Sequence, residues 1–389
     1  MKSNQVFYVV GSFLWIAFLL NSFSVKGQKR CNSNQLMQLQ LNEHPEILAN
    51  KMASNRLVIQ QQNQQQKTRK TQQAVVTIPV VFHVLYNNAE ENLSFDQLQS
   101  QIDVLNEDYR RQNDNATNTW SQATDAQIEF CFANIDLNGN YFEGVTRKFT
   151  SKSEFNPNSF DMFSSSTGGK EIWPDYLNIY VCDLDVFKEG VLGTAPFPGY
   201  YPAYDGVVLD YRVVGRQQIV NGTELYKLVS NYDLGRTATH EVGHWLDLEH
   251  PWGSGNGGCN TDDNITDTPN SAEPYNACDV GTSCGTTDMV ENFMDYHFDG
   301  CMSLFTQGQA DRMIASINIY RPYLVNNTKC SNCLSSVNVN QSFQSEVETI
   351  ISNDVITAQN DIYDDSNISY FAKNRITLNS GFSLSLIHI

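Results

Sequence analysis

Read by the spacing of its apolar residues, the chain falls into four unequal stretches. Residues 1–27 hold an early lysine, an apolar run from Phe7 to Leu20 and a permissive Gly27, the anatomy of a secretory signal peptide. Residues 28–73 are rich in Asn and Gln and lack aromatics, and the run Gln60 to Gln66 leads into Lys67, Thr68, Arg69 and Lys70. That composition predicts a pro-segment with an exposed linker. A folded domain is expected over 74–325, opening with Val76 to Tyr86, a β-rich run dense enough for a buried strand. His83 within it is expected to be a packed histidine. Phe95, Leu98, Ile102, Leu105 and Tyr109 recur at helical spacing after Ser94 and Gln97, a capping-box pair. Further strands are expected at Gln127 to Ile135, Tyr176 to Val181 and Gly206 to Tyr211. Thr306 and Gln309 open another helix with Ala310, Met313, Ile314 and Ile317 on one face, closed by Pro322. Strands alternating with helices predict an α/β (α+β) architecture. Residues 335–389 are Ser/Asn-rich and read as an incomplete β-rich segment that ends in mid-pattern, which predicts that the natural chain continues.

The densest chemistry lies in the run His240-Glu241-Val242-Gly243-His244-Trp245-Leu246-Asp247-Leu248-Glu249-His250. On a helix, residues four apart share a face one turn apart, so His240 and His244 can offer ring nitrogens to one ion, with Glu241 beside them. A catalytic zinc takes three protein ligands and a water, so the third must come from chain that turns back, and His250 is the candidate. Asp247 lies between the second and third histidines, and Asp enters the left-handed region more readily than most non-glycine residues. The alternative is an ordinary amphipathic helix with surface histidines, which the presence of only seven His in the chain disfavours.

Charge and cysteine count narrow the setting. A formal charge of −18 argues against nucleic acid or an anionic membrane as partner, and after residue 27 no apolar run is long enough for membrane insertion. Nine cysteines is an odd number for a secreted protein, and Cys31 stands alone in the 28–73 segment. Two readings remain for it: an unpaired or intermolecular thiol, or a thiolate delivered to zinc in place of water. Cys131 and Cys182, on or beside candidate strands, are expected to pair, and Cys330-x-x-Cys333 is expected to close locally. The acidic run Asp262 to Pro269 reads equally as a calcium loop or a solvated turn.

Together these features resemble the pappalysin branch of the metzincin metallopeptidases, which contains the cytophagalysins and ulilysin-like enzymes. The resemblance rests on Arg30-Cys31, the zinc signature, Asp263-x-Ile265-x-Asp267-Thr268-Pro269, Asn292-Phe293-Met294-Asp295-Tyr296, and Cys301-Met302 leading to Phe305-Thr306 and Gln309. Asp247 departs from the glycine usual in that signature. The resemblance implies a twisted mixed sheet with a zinc helix, a Met-turn at Met294 and an irregular lower lobe. It implies zinc on His240, His244 and His250, Glu241 as general base, Tyr296 assisting the transition state, and calcium at Asp263, Asp267 and Thr268. It also implies the disulfides Cys259–Cys284 and Cys278–Cys301. The implied activity is hydrolysis of protein or peptide substrates with Arg or Lys after the cut, Asp299 lying near that pocket. The precursor would mature at Thr68-Arg69. The competing function is a secreted zinc- and calcium-stabilised binding module without turnover, against which Glu241 argues, since a closed structural site has no use for a base.

Overall fold

The computed structural model describes residues 29–68, 74–140, 142–186, 190–200, 202–253, 257–274 and 278–330, and seven short strands between 336 and 384. The expected signal peptide and the Thr68-Arg69 junction beyond Thr68 lie outside the described residues, as does Cys333.

The strands from the N-terminal end to residue 210 are β1 (Lys29–Cys31), β2 (Val76–Tyr86), β3 (Ala123–Thr124), β4 (Ile128–Phe132), β5 (Val145–Phe149), β6 (Leu177–Cys182), β7 (Val191–Thr194) and β8 (Gly206–Asp210). All but β3 form one sheet in the order β1-β7-β8-β6-β2-β4, with β5 also on β2. β2 runs down its middle because eight consecutive residues, Ile78 to Leu85, are buried, as a strand covered on both faces requires. One edge of β2 serves two partners in succession: Val76 to Val80 pair with β4, Phe82 to Tyr86 with β5. The ladder is parallel throughout except where β7 meets β8, which makes the sheet mixed. His83 is buried in β2, its ring bonded to Thr146 and Asn178, and loss of hydration lowers its pKa to about 4.

Among the described residues five α-helices complete the body: α1 (Ser33–Glu43), α2 (Ile47–Thr68), α3 (Phe95–Tyr109), α4 (Arg236–Trp245) and α5 (Gln307–Tyr320). Ser94 accepts from Gln97 N–H at the start of α3, and Thr306 with Gln309 forms the full reciprocal box on α5. Leu98, Ile102 and Leu105 of α3 join Val80, Phe82 and Val207 of the sheet and Val242 and Trp245 of α4 in one core. β3 pairs with Phe305–Thr306 at the entry to α5, tying the two halves together.

Three expectations need correction. The Asn/Gln-rich stretch expected as an exposed linker is largely helix: Gln, Leu, Met, Ala and Lys are good helix formers, and α2 lies along α5 with Val58 buried and Gln62 Nε2 donating to Gly308 O at 3.1 Å. Cys131 pairs with Cys330, not Cys182, which is free and buried. The reason is topological. β2 separates β4 from β6, so the two cysteines stand on strands about 9–10 Å apart, beyond disulfide reach. Cys330 is brought alongside instead, with Asn134 N–H donating to Lys329 O at 3.0 Å, so it does not close on Cys333.

The C-terminal strands pair only in parallel: Ser336 with Val355, Val355 with Arg375, Val347 with Asn367. The chain thus returns in register about every twenty residues, the pattern of a parallel β-solenoid.

Candidate metal centre

α4 carries the site because every one of its ten residues is buried beneath the sheet, with Gly235 (φ 78°) turning the chain into it. At its other end Asp247 adopts φ 80°, and Leu248 N–H closes on Gly243 O at 3.0 Å, the left-handed stop that sends His250 back toward the helix. Arg312 of α5 holds the Asp247 carboxylate at 2.5 Å, so the Asp that replaces glycine also anchors a neighbouring helix.

Three imidazoles converge. Nε2 of His244 lies 3.1 Å from Nε2 of both His240 and His250. His240 Nδ1 is 2.8 Å from Phe293 O and His244 Nδ1 is 2.7 Å from Leu248 O, and a carbonyl can only accept, so each Nδ1 carries the proton and each Nε2 presents a bare lone pair. Burial and the neighbouring rings push His240 well below the ordinary histidine range, and burial takes His244 to about 4. Neutral rings with lone pairs facing one another are repulsive until a cation sits among them. Tetrahedral zinc with bonds of about 2.05 Å sets its ligand nitrogens about 3.3 Å apart, close to what is seen. The donor set fits zinc.

Cys31 Sγ joins the three ring nitrogens within 4.8 Å of one another, and among the described residues no other group of His, Cys, Asp or Glu converges in this way. Burial, and next the Glu241 carboxylate, push its thiol well above the ordinary range, so a bound cation is what would hold it as thiolate. Glu241 is fully buried; its Oε2 accepts from Ser33 Oγ at 3.0 Å, and burial raises it to about 8. Glu241 packs on the bare backbone of Gly193 in β7, where a Cβ would come within 2.9 Å of Glu241 Cγ.

Beneath the rings lies the turn Asn292–Tyr296. Met294 is buried with its thioether against Gly243 of α4. Asn292 holds the turn in place: its side chain accepts from Met294 N–H at 2.9 Å and exchanges two 3.0 Å bonds with the Gln309 amide on α5. Tyr296 donates to Cys31 O at 3.2 Å. Asp299 is buried and pairs with Arg30 at 2.7 Å.

The acidic loop stands apart from this centre. Asp267 spends both oxygens capping α5, on Thr306 Oγ1 and Gly308 N–H, each at 2.8 Å, and Thr268 Oγ1 lies 3.5 Å from Thr306 Oγ1. Asp263 accepts from Ile265 N–H at 3.0 Å, and burial pushes its carboxyl well above the usual range.

Sequence reasoning passed over Ser33, the bonding of Asn292 to Gln309 that holds the turn, and Trp252, whose indole stacks on the His250 ring at 4.6 Å and 4°. The motifs flagged Asn292 and Gln309 by position; nothing local marks Ser33 or Trp252.

A sequence model described as pregnancy-associated plasma protein-A matches residues 169–318. An extracellular metalloprotease of Arthroderma benhamiae is 32% identical over 247 residues, covering 62% of this chain and 72% of the relative. The chain belongs to the pappalysin family of metzincin zinc metallopeptidases. A second Arthroderma benhamiae extracellular metalloprotease is 33% identical over 64% of this chain and 80% of its own length. The solved structure of Tannerella forsythia mature mirolysin in complex with a cleaved peptide matches with TM-score 0.59 and 40% identity over 67% of this chain and 100% of that one. A Tannerella forsythia promirolysin mutant matches with TM-score 0.61 and 37% identity over 77% of this chain and 100% of that one. As a pappalysin the protein is a zinc metalloendopeptidase acting on proteins or peptides. The pairings Cys131–Cys330, Cys259–Cys284 and Cys278–Cys301 suit the extracellular setting for which those relatives are named, and no described helix is long and apolar enough to cross a membrane.

Proposed function

We propose that the protein is exported by residues 1–27 and held latent by residues 28–73. In the precursor Cys31 takes the place of the catalytic water and Arg30 fills the pocket for a basic substrate side chain. The supporting observation is that Cys31 Sγ belongs to the same 4.8 Å cluster as the three histidines, while the adjacent Arg30 reaches Asp299. Ser33 adds to the block by donating to Glu241 and accepting from Ala195 N–H at 2.8 Å. That mirolysin is solved in both pro and mature forms, the pro-form spanning more of this chain, agrees with such a design.

His240, His244 and His250 would hold a zinc that supplies Lewis acidity toward the scissile carbonyl and lowers the pKa of water. Glu241 would take a proton from the attacking water and pass it to the leaving amine. Tyr296, freed from the Cys31 carbonyl, donates to the developing oxyanion, a contact worth about 3 kcal/mol. Met294 is the apolar floor beneath the metal. The preference is for Arg, then Lys, after the cut; the supporting observation is that Arg30 places one guanidinium nitrogen on Asp299 Oδ1 at 2.7 Å and the other on His297 O at 2.5 Å, a planar fork that a point-like ammonium matches less well. Maturation is by self-cleavage at Thr68-Arg69, where Lys67, Arg69 and Lys70 are the basic candidates. Residues 74–325 form the peptidase domain and 335–389 an appended segment.

The deciding experiment is metal removal. Mature protein is expected to hydrolyse denatured protein, to stop after zinc chelation and to recover with added zinc; zinc binding without any turnover would assign the site to a binding module.

A structural calcium completes the reading, held through Asp263, Asp267 and Thr268. Asp263 needs a cation to stay charged where it is buried, and Asp267 offers only the lone pairs its capping bonds leave. A calcium-specific chelator is therefore expected to lower the melting temperature by several degrees. An unchanged melting curve removes the calcium.

A further inference from the structure

We propose that Asp108 and Arg236 are positioning residues that keep Asp299 available to a substrate guanidinium, so that selectivity for a basic side chain depends on a carboxylate the substrate never touches. The proposal rests on the basic-residue preference advanced above.

The pocket floor is a chain of buried charges. Asp299 Oδ2 is held by two backbone donors, Leu234 N–H at 3.0 Å and Arg236 N–H at 3.1 Å, which leaves Oδ1 facing Arg30. Arg236, at the start of α4, sits directly behind. Its guanidinium nevertheless bonds the backbone of Asp299 and not the carboxylate: Nη1 donates to Asp299 O at 2.7 Å. Nη2 turns the other way, to Asn115 Oδ1 at 2.9 Å and Asp108 Oδ1 at 3.4 Å. Asp108, at the end of α3, is fixed by Thr239 Oγ1 on its other oxygen at 2.7 Å. The side chains of Asp108 and Asp299 are 0% exposed and that of Arg236 is 6% exposed.

Charge counting gives the consequence. Two carboxylates and one guanidinium leave a single buried negative charge, which Arg30 cancels in the precursor and a substrate cation would cancel in the mature enzyme. A buried charge without a partner is costly, so it recruits whatever cation can reach it. Asp108 is what keeps Arg236 from being that cation. Without its charge, Arg236 is free to close on the Asp299 carboxylate, which neutralises the pocket and sets a positive charge against an incoming guanidinium.

The test uses mature enzyme and two peptides that differ only in Arg or Leu after the cut. Asp108→Asn is expected to raise KM for the Arg peptide by about tenfold or more and to flatten the Arg-over-Leu ratio, as Asp299→Asn does, with zinc content unchanged. The double variant Asp108→Asn/Arg236→Gln removes the intruding cation and is expected to regain the Arg preference, a rescue that a merely structural role for Asp108 does not produce. Should Asp108→Asn fail to fold, Thr239→Val, which removes only the hydroxyl holding Asp108, is expected to lower the ratio severalfold. Wild-type selectivity in Asp108→Asn or Thr239→Val while Asp299→Asn loses it, or no recovery in the double variant, overturns the proposal. A wild-type enzyme without Arg preference overturns the underlying reading itself.

Discussion

Glu241→Ala is expected to lower turnover of a peptide substrate by about a thousandfold while leaving zinc bound. The metal should stay because its three nitrogens are held by other contacts, His240 and His244 through Phe293 O and Leu248 O and His250 by the Trp252 stack. What disappears is the carboxylate proposed to move a proton between water and leaving amine. The same variant tests self-processing. N-terminal sequencing of wild type should give Arg69 or Lys70, and of Glu241→Ala an intact precursor. Identical processing of both would assign the cut to another protease, and near-normal turnover would remove Glu241 as base.

Arg30→Ala in the unprocessed protein is expected to raise basal activity sharply. It strips the partner from a fully buried carboxylate, a change that typically costs about 3–5 kcal/mol, or roughly 10²–10⁴ in how firmly the strand stays docked. Cys31→Ala should also raise basal activity, by vacating the position beside the ring nitrogens. The measurement is the initial rate of peptide hydrolysis by precursor shown intact by mass. A precursor silent in both variants would mean that latency is steric, through α1 and α2, and not through the two residues at the centre.

The convergence of the three histidines was legible in sequence because their geometry is nearly local: a four-residue helical step and one turn place all three rings, and Asp247 takes the positive φ of the turn. Both capping residues and the central strand were legible for the same reason. The Cys131–Cys330 pairing was not, because it depends on which strands lie side by side, and β2 enters between the two strands whose sequences alone looked suited to pairing. α2 was misread because its helical character comes from Gln-rich propensity without an apolar stripe; the surface of α5, far along the chain, stabilises it. The buried charge network around Asp299 was legible only as one acidic residue. Its other parts come from residues 30, 108, 115, 234, 236 and 297, which no window of sequence brings together.

The Cys131–Cys330 bond also decides how the molecule carries mechanical load. A pull on the chain beyond Cys330 enters the body through β4 and is passed sideways to β2 across a parallel ladder from Val76 to Val80. The bond gives such a pull a covalent route into the sheet beside the backbone route through α5, whose Gln309 holds the Asn292–Tyr296 turn and whose Arg312 holds Asp247. Part of any tension from the C-terminal strands is therefore taken by β4 and β2 before it reaches the helix that supports the three histidines.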